Sequence, residues 1–127
     1  MHEHKIRNVL SLPVQERYNY LIRKVADFEE VWLVKNEEDL IQMVKIRDEV
    51  DSIPIWPEEG FAALTLTGNW KSHKVESMDL YEFMDWLSIL DEEGIMIAAF
   101  PLPDLASIEV APLEIKGHLE EECSQYE

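Results

Sequence analysis

Apolar positions along this chain follow two periods, and the switches between them mark out its elements. Val14, Tyr18, Leu21, Ile22 and Val25 make a stripe of helical period, with Gln15, Glu16, Arg23 and Lys24 for the wet side. Ser11 precedes it as a capping hydroxyl, and Pro13 sits in the first turn, where its missing N–H costs nothing. Residues 3–10 read as a short turn. Residues 30–34, Glu-Val-Trp-Leu-Val, are the branched and aromatic types that favour a strand, and residues 36–39 make a turn. Residues 40–46 are ambiguous, because Gln42 and Lys45 lie three apart and do not alternate. The reading taken is a second strand in a hairpin with the first; the alternative is an amphipathic helix capped by Asn36. Residues 47–52 read as a charged loop and residues 53–56 as a short strand.

Pro57 starts a second helix, with Glu58 and Glu59 in the first turn, where the helix dipole favours negative charge. Phe61, Ala62, Leu64 and Thr65 face inward, and Gly68 stops it. Residues 70–76 are extended. Asp79 followed three positions later by Glu82 has the form of a capping box, and Leu80, Phe83, Trp86, Leu87 and Leu90 form the buried stripe behind it, with Gly94 as the stop. Residues 95–100 are continuously apolar, the mark of a central strand covered on both faces. Residues 107–111 alternate as a less buried strand. Pro112 opens a last helix carrying Leu113, Ile115 or Lys116, and Leu119, which Glu120, Glu121 and Glu122 should fray because they oppose the dipole. The sum is one α+β domain over residues 1–127 with flexible termini: a mixed or antiparallel sheet of about four to five strands packed against helices. Its expected core includes Tyr18, Leu21, Trp32, Phe83, Trp86, Leu90 and Phe100.

Composition adds one large fact. The 27 acidic and 11 basic side chains leave a formal net charge of -16, while 46% apolar content argues against disorder. Such a charge repels nucleic-acid phosphates and anionic lipid, and it attracts and steers a basic partner. Like charge also favours a monomer. No apolar run is long enough to span a bilayer, and no apolar segment follows Met1 as a secretory signal requires. The single Cys123 cannot form an internal disulfide, which fits a reducing cytoplasm.

Four segments carry a likeness to a known family: RYNYLIRKVADFEEVW (17–32), IPIWPEEGFAAL (53–64), TGNWKSHKVESMDLYEFMDWL (67–87) and GIMIAAFPLPD (94–104). In that order they resemble the recurrent segments of the small bacterial family of domain of unknown function 2750, over roughly residues 13–122. The family pattern falls on Arg17 and Tyr18, Trp32, Trp56 and Pro57, Trp70 and Lys71, and Phe100 and Pro101. Members often have a Gly-Trp-Ala-like element where this chain has Leu40-Ile41-Gln42. The resemblance implies no catalytic residue, because the family has no established activity.

Chemistry-bearing residues are sparse. His2 and His4 share the terminus, and His73 and His118 are far apart, so no set of three or four metal ligands is expected. Glu58 with Glu59, and residues 91–93, read as surface at helix ends. Cys123 follows three glutamates, which disfavour its thiolate. The glycines are isolated, without a phosphate-cradling loop, and no G-x-S-x-G elbow is present. The expectation is a non-enzymatic, cofactor-free cytoplasmic protein that binds a protein partner, in its sharpest form an immunity- or inhibitor-like protein for a basic one. A general accessory or regulatory protein with a neutral partner, or a small-molecule binder, is the alternative. Trp56, Pro57, Glu58, Glu59, Trp70 and Lys71 are the candidate contact residues, because the Trp-Pro step places an extended tryptophan at a strand-to-helix junction.

Overall fold

The computed structural model describes residues 3–126. Two helices open the chain, α1 (Glu3–Leu10) and α2 (Val14–Phe28). Residues 3–10 therefore form a full helix, where the sequence predicts only a turn. Ser11 does not cap α2: its hydroxyl donates to the Asn8 carbonyl at the end of α1, and Pro13 occupies the cap position of α2. Of the expected α2 stripe, Tyr18, Leu21, Ile22 and Val25 are buried, whereas Val14 in the first turn is exposed. Arg17 and Tyr20 are buried with them.

Strand β1 (Glu30–Lys35) follows, then β2 (Val44–Arg47) and β3 (Val50–Ile55). The predicted β1–β2 hairpin does not form. Beyond β1 the chain makes one bridge, Lys35 to Ile41, before β2 leaves to pair antiparallel with β3. The charged loop expected at 47–52 is instead a tight turn at Asp48 and Glu49 followed directly by β3; Glu49 supplies the left-handed residue, φ 65°, without the Asn-Gly signal.

Helix α3 is a short stretch, Glu59–Ala63, beginning two residues after Pro57 and ending before Gly68, which instead opens a one-turn 3₁₀ segment, Gly68–Trp70. Strand β4 (Lys74–Asp79) leads into α4 (Leu80–Glu93), then β5 (Met96–Ala99), β6 (Ile108–Val110) and α5 (Pro112–Cys123). The capping reading holds at α4: Asp79 Oδ2 accepts from the backbone N–H groups of Tyr81 and Glu82, and Gly94 ends the helix at φ 74°. Asp79→Ala removes the acceptor for both and is expected to cost about 1 kcal/mol. Urea unfolding checks this; no change in midpoint would show that solvent satisfies those groups equally well. Helix α5 continues through its three glutamates to Cys123, so the predicted fraying does not interrupt it; Leu113 is exposed, and Ile115 and Leu119 are buried.

The six strands form two sheets, a fold of the predicted α+β class. One pairs β1 with β4 antiparallel; the other has the order β2-β3-β5-β6, with β3 and β5 parallel and the rest antiparallel. Trp56, just beyond β3, joins them: its backbone N–H and carbonyl each bond Trp32 of β1 at 2.9 Å. β5 is the central apolar strand predicted, flanked by β3 and β6.

Two of the expected core residues lie at its margin. Trp32 and Trp86 are half-buried and pack against the core from outside. Around α4, Leu80, Phe83, Leu87 and Leu90 make a narrow arc, and Trp86 stands beside that arc with its ring edge-on to Phe83.

Candidate functional site

The six candidate contact residues separate into three environments. Trp56 is 0% exposed, and its indole N–H donates to the Pro101 carbonyl at 3.0 Å. Pro57 beside it is also buried. Neither can face a partner, which corrects the reading of this junction as a crevice. The strand-to-helix corner points its tryptophan inward because the apolar turn after β5 offers the indole a buried acceptor. Phe100, at φ 47°, is held in that turn by its own N–H on the Ile55 carbonyl and by the Arg17 guanidinium, whose Nε lies 3.4 Å from the Phe100 carbonyl. Burial without a carboxylate partner lowers the pKa of Arg17 from the ordinary arginine value. Arg17, Trp56, Phe100 and Pro101, positions of the family-like pattern, thus form an internal clamp.

Trp70 and Lys71 lie elsewhere. Trp70 is half-buried and stacks on His73 at 5.8 Å, and His73 Nε2 is 3.1 Å from Gln42 Oε1. Trp70 lines a shallow groove of about 610 Å³ with Met43, Ile46 and Leu105. Lys71 is exposed.

Glu58 and Glu59 do reach a surface with chemical character. At the N-terminal end of α3 they share a groove of about 530 Å³ with Phe28, Glu30 and Trp32. Phe28 ends α2 and turns 49% of its surface to solvent, and the half-buried Trp32 reaches the groove from β1. Three carboxylates and two aromatic rings therefore line one concavity. The inner carboxylate is fixed: Glu58 Oε1 accepts from Lys5 Nζ of α1 at 2.6 Å, and Oε2 accepts from the Tyr20 hydroxyl at 2.6 Å. Lys24 Nζ lies 5.4 Å from the Phe28 ring centroid. Glu30 and Glu59 make no ion pair among the described residues. A ring face beside a carboxylate suits a lysine or arginine head, through cation–π attraction and a charge-assisted hydrogen bond. The chain's own Lys5 and Lys24 already use both modes here.

The sequence pattern misses Phe28, Glu30 and the partial exposure of Trp32. Phe28 follows the α2 stripe and reads as its end, and Trp32 reads as core by type. Phe28 stands seven positions after Leu21 and three after Val25, on the helical stripe itself, so periodicity carries no signal of its exposure.

Among the described residues, no group of three or more His, Cys, Asp or Glu side chains is placed to hold a metal ion, and His2 lies outside them. No helix among them is long and apolar enough to cross a membrane. Cys123 is half-buried and packs against the core.

The model of a family described as protein of unknown function (DUF2750) matches residues 18–119. No curated protein and no solved structure matches the chain.

Proposed function

The chain belongs to the DUF2750 family, and we propose that it is a non-enzymatic cytoplasmic binder that receives a basic segment of a protein partner in the groove of Phe28, Glu30, Trp32, Glu58 and Glu59. The observation that carries this is the pairing of two partly exposed aromatic rings with three carboxylates in a chain of net charge -16. The overall field draws a basic partner in, and the groove supplies a place for its lysine or arginine heads. An immunity- or inhibitor-like role is the form this takes if the partner's basic surface is also the one it works with. The protein binds as a monomer, since two copies at this charge repel.

Affinity capture from the native cell with two baits, wild type and Glu30→Gln/Glu59→Gln, tests the reading. The partner should be retained by the first and lost from the second. With the purified pair, the association rate should fall several-fold between roughly 50 and 500 mM salt, while dissociation changes less. Trp32→Ala should weaken binding by about 2 kcal/mol, as a tryptophan at the centre of an interface does. Undiminished capture by the double variant, or an association rate indifferent to salt, would reject the groove as the site.

A further inference from the structure

A further concavity lies between α2 and α5, which pack against each other. It encloses about 390 Å³, within the range of roughly 300–1,000 Å³ typical of small-ligand sites. Its base is partly apolar, from the buried Ile22 and the ring of Tyr18. The Tyr18 hydroxyl lies 2.6 Å from His118 Nδ1, and the two rings meet edge to face. Burial raises the pKa of Tyr18, with the charge of Glu114 adding to the effect, so the phenol keeps its proton.

The charges around this cleft do not cancel one another. Arg23 stands on the α2 wall and Glu121 and Glu122 on the α5 wall, yet neither glutamate pairs with it. Among the described residues the Arg23 guanidinium makes no ion pair, and it rests 5.7 Å from the Tyr20 ring centroid. Opposite charges that line one cleft without meeting leave room for a molecule that carries the complement of both walls. One cation and two anions call for a ligand with one anion and two cations.

We propose that the α2–α5 cleft binds a basic α-amino acid, its carboxylate on Arg23 and its ammonium and side-chain cation on Glu121 and Glu122. Lysine and arginine have this pattern, with a methylene stem to lie along Ile22 and Tyr18. Their net positive charge also suits a protein whose field disfavours anions. The same carboxylate and side chain occur at the C-terminus of a peptide ending in a basic residue, where the α-ammonium is lost. This site is separate from the Phe28–Trp32 groove and does not depend on its function.

The test is an NMR titration of the uniformly labelled full chain with L-arginine, read on backbone amides and the His118 ring. Saturable shifts confined to α2 and the C-terminal half of α5 are expected, at micromolar to low-millimolar affinity. Arg23→Gln and Glu121→Gln/Glu122→Gln should each weaken binding about tenfold or more, since each removes a charge-assisted contact. All three positions line the rim, and circular dichroism confirms that the variants fold. L-Citrulline, without the side-chain charge, and L-arginine amide, without the carboxylate, should both bind weakly. Nα-acetyl-L-arginine separates the two sources: binding equal to L-arginine assigns a peptide terminus, and weaker binding assigns the free amino acid. No saturable shift at 10 mM L-arginine, a scale about tenfold beyond millimolar affinity, would overturn the proposal. So would equal binding of the amide, indifference to both variants, or shifts centred on Phe28 and Trp32.

Discussion

Trp56→Ala is expected to lower the unfolding free energy by about 3–5 kcal/mol, the range for emptying a tryptophan-sized space in a packed core. The residue is wholly buried, and its loss removes three things together. A cavity opens where the two sheets join through the Trp32–Trp56 bridge. The Pro101 carbonyl loses the indole N–H it accepts. The turn at Phe100, held at a positive φ that a bulky residue rarely adopts, loses one of its clamps. Trp56→Phe separates these contributions. It keeps most of the ring volume but orphans the carbonyl, and should cost about 1–3 kcal/mol. Urea unfolding measures both. Partner affinity, scaled to the folded fraction, should be almost unchanged in Trp56→Phe. A loss of affinity with full stability would return Trp56 to the surface role its Trp-Pro step suggests.

Alkaline unfolding should be unusually steep for a small domain. Burial raises the phenol pKa of both Tyr18 and Tyr20, and Tyr20 is raised further by donating to the Glu58 carboxylate and by its charge, with Arg23 opposing. The sign follows from linkage. A phenol whose folded pKa exceeds its unfolded value of about 10 contributes stability that is complete below pH ~10 and lost as pH climbs towards the folded value. Across that window the unfolded chain releases protons that the native state retains. Each tyrosine then removes about 1.4 kcal/mol per pH unit, and the pair about twice that. Unfolding in urea at pH 8, 9.5, 10.5 and 11 would measure the slope, with pH values chosen around the tyrosine range of about 10. Tyr18→Phe and Tyr20→Phe should each flatten it by one tyrosine's share. An unchanged slope in both would mean that lysine deprotonation dominates. Tyr20→Phe should also weaken the inner wall of the acidic groove, because Glu58 then keeps Lys5 as its only donor among the described residues.

Much of the architecture was legible because it rests on near neighbours. The α2 stripe needs only residues three and four apart. Asp79 reaches N–H groups two and three positions along the chain, and Gly94 meets a backbone requirement at its own position. The apolar run through Ile97, Ala98 and Ala99 can be satisfied only with strands on both sides, and β3 and β6 are there. From α2 onward the order of helices and strands followed from such local terms, and so did the fold class.

Pairing was another matter. β2 had two potential partners and took β3, because a two-residue turn at Asp48 and Glu49 closes that hairpin with far less chain than a return to β1 would use. Trp56 and Trp32 carry the same side chain, yet one is enclosed and the other lies half outside. The difference comes from the Phe100–Pro101 turn, more than forty residues away in sequence from Trp56, which offers an acceptor to one indole. The acidic groove brings Phe28 from the end of α2, Glu30 and Trp32 from β1, and Glu58 and Glu59 from the start of α3. The α2–α5 cleft sets Tyr18 against His118 across a separation of 100 residues. Local periodicity selects which face of each element is apolar. The partners of those faces, and the polar residues left standing together at their edges, depend on how the elements pack, and no short-range pattern encodes that.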